Sequence, residues 1–168
     1  MTAPTTERVA RLVDPAGVET IEILGPTLQH LTAPESDAGP CVLRGTIPPR
    51  GVVPLHSHAD PETFLQLSGE LEGLCVSADG FAWAPIGPGD VFHVPGNAKH
   101  AWRNPSLDPA VTIIVTTGKL ARFFREVAEP SGSPSTPEEA TGRFLATAER
   151  YGYWNATPEQ NAAVGLIL

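Results

Sequence analysis

The chain has 168 residues, 41% of them apolar, enough for one ordinary domain with a real core and too few for two comfortable ones. Its 11 Lys plus Arg against 19 Asp plus Glu leave a formal charge of −8, which repels phosphate backbones and anionic membranes, so neither nucleic acid nor a membrane surface is an expected partner. The 18 Pro and 16 Gly favour short elements separated by turns over long helices.

No apolar run approaches the roughly 18 residues a membrane helix needs, and the opening MTAPTTERVARLVDP has no hydrophobic signal segment; a soluble, cytoplasmic protein is expected. Cys41 and Cys75, without CxxC spacing, read as two buried thiols and not as a disulfide framework.

In chain order, residues 1–17 read as a flexible N-terminal arm, because TAPTT and DPAG carry turn formers and few apolar anchors. From Val18, VETIEIL alternates apolar and polar residues as a half-buried strand does. Comparable runs follow at 27–31 (TLQHL), 41–47 (CVLRGTI), 63–68 (TFLQLS), 70–77 (ELEGLCVS), 81–86 (FAWAPI), 90–94 (DVFHV), 100–104 (HAWRN) and 110–117 (AVTIIVTT). Turn residues separate most of them, and no helical segment between them is long enough for a βαβ unit, so residues 18–117 read as an all-β sandwich or barrel.

After Gly118 the period changes. In KLARFFREVAE, Leu120, Phe123, Phe124 and Val127 fall on one helical face. EPSGSPS (129–135) reads as a linker. Thr136, Pro137 and Glu139 then form a capping box with Pro at the first helical position, which predicts a helix from Pro137 to about Tyr151. TPEQ (157–160) repeats the arrangement ahead of a last short helix. Residues 118–168 thus read as a C-terminal helical extension. Its VGLIL end is too apolar for water and should pack on the barrel or on another subunit.

The chemistry concentrates in HSHADPETFLQLSG (56–69). Strand residues at i and i+2 share a face, so His56 and His58 can present two imidazoles to one point. Glu62 can add a carboxylate after a bend at Asp60-Pro61, and His100, after the turn at Pro95, Gly96 and Asn97, can add a third imidazole. Three histidines and a carboxylate suit a divalent first-row metal. If Glu62 points inward, Phe64 and Gln66 do so too, and His100 brings Trp102 along, giving the site an aromatic wall with one amide. Phe81 and Trp83 are candidates to extend that wall, with ordinary barrel packing as the plainer alternative. His30, His93, Arg44, Arg103 and Lys99 read as structural or surface residues.

The sequence resembles the cupin superfamily. One motif reads G-x4-H-x-H-x3-E-x6-G from Gly51 to Gly69, one residue shorter before its first His than is usual. The other reads G-x5-P-x-N-x2-H-x3-N from Gly89 to Asn104, with Asn97 where the family usually has Gly. The resemblance covers about residues 40–117. It implies a double-stranded β-helix, the jelly-roll-like cupin barrel, with His56, His58, Glu62 and His100 at the metal-ligand positions. One divalent transition metal is implied, from among Fe, Ni, Mn, Co, Cu and Zn.

A single barrel with a helical tail is most similar to quercetinase-type dioxygenases. By that resemblance Glu62 is also the catalytic base and the substrate is a phenolic or enolic small molecule that meets dioxygen; the alternation described above makes Phe64, Gln66 and Trp102 the substrate-binding candidates. The alternatives are a non-redox isomerase, cyclase, dehydratase or decarboxylase, such as a polyketide-tailoring enzyme, and a non-catalytic binding or sensory cupin. A homodimer is expected by analogy, because exposed sheet edges are commonly paired or covered.

Overall fold

The computed structural model describes residues 9–34, 36–128 and 135–167. The first eight residues of the expected arm and all but Ser135 of the expected linker lie outside the described residues.

Among the described residues eleven strands and three α-helices follow in order: β1 (Thr20–Glu22), β2 (Thr27–His30), β3 (Pro40–Ile47), β4 (Val52–Ser57), β5 (Glu62–Ser68), β6 (Leu71–Ser77), β7 (Gly80–Ile86), β8 (Val91–Val94), β9 (His100–Arg103), β10 (Ala110–Thr117), α1 (Gly118–Val127), α2 (Pro137–Tyr151), β11 (Trp154–Asn155) and α3 (Pro158–Ala163). Two antiparallel sheets face each other, one ordered β1-β2-β3-β10-β5-β8 and the other β11-β4-β9-β6-β7. No helix among the described residues is long and apolar enough to cross a membrane.

The strands form where period-two alternation meets β-branched and aromatic residues. In β3, Cys41, Leu43 and Ile47 are buried; in β10, Ala110, Thr112, Ile114 and Thr116 are. Together with Phe64, Leu71, Ile86 and Trp102 the apolar members fill the space between the sheets. Gly73 on β6 leaves room there for the Phe92 and Trp102 rings, since a Cβ would lie 2.9 Å from both.

The strand that leads to the histidines is irregular. Val53 packs against the inner core, whereas Leu55 faces a second cluster outside the sheet with Leu74 and Ala101. The β4–β9 register shifts between Val53 and His56, which places His56 opposite His100. This bulge changes the inward parity, so His56 turns towards the interior where uninterrupted alternation from Val53 would have turned it out.

The extension is helical as expected. Thr117 caps α1, and Leu120, Phe123 and Val127 are its buried face. Thr136 with Glu139, and Thr157 with Gln160, form the two anticipated capping boxes. Beyond α3, Val164 and Leu166 cover Leu55, Leu74 and Ala101, so the apolar end packs on the barrel wall. Asn161, 1% exposed, accepts the Leu55 N–H on its Oδ1 at 2.8 Å, serving a backbone donor that the bulge removes from the ladder.

Two expectations are corrected. Cys41 is buried, but Cys75 is exposed. The distal part of the β6–β7 hairpin, from Cys75 through Ala82, is exposed on both faces, so alternation ceases to report burial there. Phe81, paired with Val76 in that part, is 50% exposed. Trp83 pairs with Leu74 on the outer face and donates its indole N–H to the Val164 carbonyl at 2.9 Å. Neither ring joins the inner wall.

Candidate metal centre

Four side chains from three segments converge inside one end of the barrel. His56 is carried by β4, His58 follows its last residue, Glu62 opens β5 and His100 opens β9. One possible ligand atom from each lies within 4.8 Å of all the others. His58, Glu62 and His100 are buried, and His56 is half-buried.

The turn between the histidine segments is held from outside. Asn97 donates its backbone N–H to the His58 carbonyl at 2.6 Å and has φ +66°, left-handed geometry that Asn tolerates better than most residues. Beside it, a Cβ on Gly96 would stand 2.4 Å from the Ala59 carbonyl oxygen, so the two motifs press together through bare backbone.

Each imidazole is oriented by its own neighbourhood. Nδ1 of His56 lies 2.7 Å from the Pro54 carbonyl, Nδ1 of His58 2.7 Å from that of Asp60, and Nδ1 of His100 2.9 Å from that of Ala98. A carbonyl only accepts, so the proton is assigned to Nδ1 in all three rings. That assignment leaves each Nε2 as the nitrogen available to a ligand. Glu62 Oε2 stands 3.3 Å from Nε2 of His58 and 3.2 Å from Nε2 of His100. The ring centroid of His56 is 4.1 Å from that of His100.

The electrostatics follow from that crowding. Burial, then the neighbouring His100 and His58 rings, lower the His56 pKa to about 3. Burial alone would raise Glu62, but the His100 and His58 rings against its carboxylate outweigh it and hold the carboxyl well below its ordinary value. Burial would likewise lower His58, yet the hydrogen bond and charge of Glu62 raise it overall. Three nitrogen donors and a buried anionic oxygen aimed at one point are a donor set that a divalent cation matches.

The remaining site expectations fall in different places. Phe64 and Trp102 lie next to the cluster and pack with ring centroids 4.2 Å apart, with Trp102 6.4 Å from the His100 ring. Gln66 is also inward and 1% exposed, but it is two inward positions from Glu62 along β5, on the order of 13 Å by strand rise. Its amide nitrogen donates to the carbonyls of Ser68 at 2.8 Å and Gly69 at 3.3 Å. The structure therefore does not bring Gln66 to the cluster; it ties down the turn after β5. Outside the cluster, His30 Nε2 binds the Ala121 carbonyl at 2.8 Å, and His93 pairs with Thr63 at 2.9 Å on the outer face. Arg103 pairs with Glu72, its guanidinium lying 4.2 Å from the centroid of the Trp83 ring.

A buried residue that the sequence reading left in a bend is Asp60, 6% exposed. Its carbonyl orients His58, and its carboxylate accepts from the hydroxyls of Thr117 and Tyr153. No local pattern could have found this, because the partners are 57 and 93 residues away.

Comparison with known proteins agrees on the fold. Residues 43–116 match the family model described as Cupin domain. Among solved structures, the polyketide cyclase RemF from Streptomyces resistomycificus is 15% identical, with 83% of this chain and 99% of that one covered at TM-score 0.58. A predicted oxalate decarboxylase from Thermotoga maritima is 23% identical over 64% of this chain and 98% of that one, at TM-score 0.53. Drosophila melanogaster CENP-C, solved bound to CAL1, is 10% identical over 63% and 85%, at TM-score 0.55. No curated protein matches the sequence. The fold is thus the mostly β cupin fold with a C-terminal helical part. Proteins with such different names share it, so function has to be argued from the site.

Proposed function

We propose that the protein is a metal-dependent enzyme that takes a proton from an enolic or phenolic small molecule in the barrel. The ligands in this reading are His56, His58, Glu62 and His100. The observation that supports it is the convergence of three Nδ1-anchored imidazoles and one buried carboxylate, with ligand atoms within 4.8 Å of one another. A bound divalent cation would supply Lewis acidity, lowering the pKa of a substrate hydroxyl or α-carbon.

Residues 18–117 would carry the chemistry, and 118–168 would cover the barrel wall. Glu62 is the one carboxylate at that point, 3.3 and 3.2 Å from the Nε2 atoms of His58 and His100, and would stand beside a substrate hydroxyl held there to accept its proton. Phe64 and Trp102 would offer an apolar face to an aromatic or polyketide-like ring. The three backbone carbonyls keep the imidazoles turned towards the reacting end of the substrate.

Two fates of the resulting anion divide the reading. Non-redox rearrangement, such as ring closure, is favoured by the likeness to RemF: 83% of the chain is a share that cannot be reached without residues of the tail. Oxygenation by dioxygen, as in quercetin 2,3-dioxygenase, is the second reading, favoured by the ligand set and spacing of the two motifs. The homodimer belongs to the proposal as well, with exposed Leu65, Leu67, Val91 and Val115 as the apolar residues such a contact would cover.

The deciding experiment incubates metal-loaded protein with flavonols, catechols and poly-β-keto compounds, with and without oxygen. Product formed under argon, and lost in Glu62→Gln, is the expected result. Oxygen uptake with a flavonol would move the assignment to the dioxygenase. Tight binding without turnover in either arm would make the protein a binding cupin and sink the enzymatic reading.

A further inference from the structure

Asp60 links three separate parts of the chain. The Thr117 hydroxyl, at the junction of β10 and α1, donates to its Oδ1; the Tyr153 hydroxyl, between α2 and β11, donates to its Oδ2 at 2.7 Å. A buried carboxylate is tolerated when its oxygens are hydrogen-bonded, and here each has a hydroxyl. Two bonds to opposite oxygens fix the plane of the carboxylate. The carbonyl of the same residue takes the Nδ1 proton of His58 at 2.7 Å.

Tyr153 is itself packed firmly. Its ring lies 5.0 Å from Phe123 and 5.5 Å from Tyr151, and 5.2 Å from the His58 ring on the other side. Two residues later β11 pairs with β4, with Asn155 opposite His56. The extension therefore meets the ligand-bearing segment through both a side chain and a strand.

We propose that Tyr153 is a positioning residue of the metal centre: through Asp60 it holds His58 with Nε2 facing Glu62 and His100, so a residue outside the matched cupin segment sets metal affinity. This rests on the metal-ligand reading given above. Groups that orient a ligating histidine typically change metal affinity about 10–100-fold when removed.

The test adds Co2+ alone to metal-free full-length protein, measuring affinity by chelator competition and site geometry by visible ligand-field bands. Tyr153→Phe keeps the ring and deletes the bond to Asp60. Tyr151→Phe makes the same change in the same tail, where the hydroxyl instead donates to Glu126 at 2.7 Å on the surface. Tyr153→Phe is expected to lose roughly 10–100-fold in affinity with shifted bands and unchanged circular dichroism, while Tyr151→Phe stays within about twofold of wild type.

Wild-type affinity and bands in Tyr153→Phe would overturn the proposal. An equal loss in Tyr151→Phe would do so too, because it would reveal general loosening of the tail. If Tyr153→Phe does not fold, Thr117→Val against Thr117→Ser decides: serine keeps the hydroxyl and should bind as wild type, and equal binding by the two variants overturns the idea. Absence of Co2+ binding by the wild type is a different result; it would remove the metal reading first and this inference with it.

Discussion

Asn161→Ala is a sharp test of how the extension is fastened to the barrel. The side chain is 1% exposed and makes three hydrogen bonds: it accepts from Leu55 N at 2.8 Å and donates to the carbonyls of Thr157 at 3.0 Å and Ala156 at 3.3 Å. Leu55 is buried and lies in the β4 bulge, so truncation strands its N–H, a loss of about 1–3 kcal/mol. The Thr157 carbonyl keeps the backbone bond from Asn161 at 2.9 Å, so losing that donor matters less. Adding about 1 kcal/mol for the remaining bonds gives a destabilisation of about 2–4 kcal/mol. For a chain of this size that corresponds to a fall in melting temperature of roughly 4–16 °C. Urea unfolding of metal-free protein, followed by circular dichroism and tryptophan fluorescence, measures it. A loss below about 0.5 kcal/mol, the range of ordinary surface substitutions, would refute the reasoning and mean that the tail is not anchored through this residue.

Three further outcomes are expected. Glu62→Gln and His100→Ala should each lower metal content after dialysis, read by elemental analysis, whereas His93→Ala should leave it at the wild-type level. Metal-free protein should lose stability as pH falls from about 6.5 towards 4.5: burial lowers the pKa of His56 to about 3 and also lowers that of His30, so the unfolded chain takes up protons there first. His58, raised in the fold, works the other way at the top of that window, where the unfolded ring is still taking up its proton, and adds nothing further once that ring is charged. A melting temperature that stays flat or rises between pH 6.5 and 4.5 would contradict this. Gly69→Ala should unfold the turn after β5 at a cost of about 2 kcal/mol or more, because φ is +73° and the new Cβ would sit 2.4 Å from the Pro109 carbonyl oxygen. Thermal melts would show it, and a wild-type melting temperature would disprove it.

Much of the architecture was legible because the signals are local. Alternation located the strands of the barrel apart from β4, whose bulge interrupts it, and the two capping boxes at Thr136 and Thr157 located α2 and α3. The four-residue cluster was legible through motif spacing, which reflects two turns of fixed length, one before β5 and one before β9. What escaped depends on distant contacts. Nothing near Asp60 announces Thr117 or Tyr153, and the two-residue β11 is too short to leave a period. Alternation placed Gln66 inward correctly, but its amide's attachment to the Ser68 and Gly69 carbonyls became visible only in three dimensions. Cys75 was misjudged because the hairpin that bears it runs past the core.

The pairing of β11 with β4 also bears on how the protein should be handled. Trp154 and Asn155 occupy the outer side of β4 opposite Ser57 and His56. A chain shortened before this point would present the unpaired amides of β4 to solvent together with Leu55, Leu74 and Ala101, newly stripped of Val164 and Leu166. Unpaired backbone beside bare apolar surface is a template for strand addition between molecules. Truncated samples would then precipitate or form mixed oligomers for reasons unrelated to catalysis.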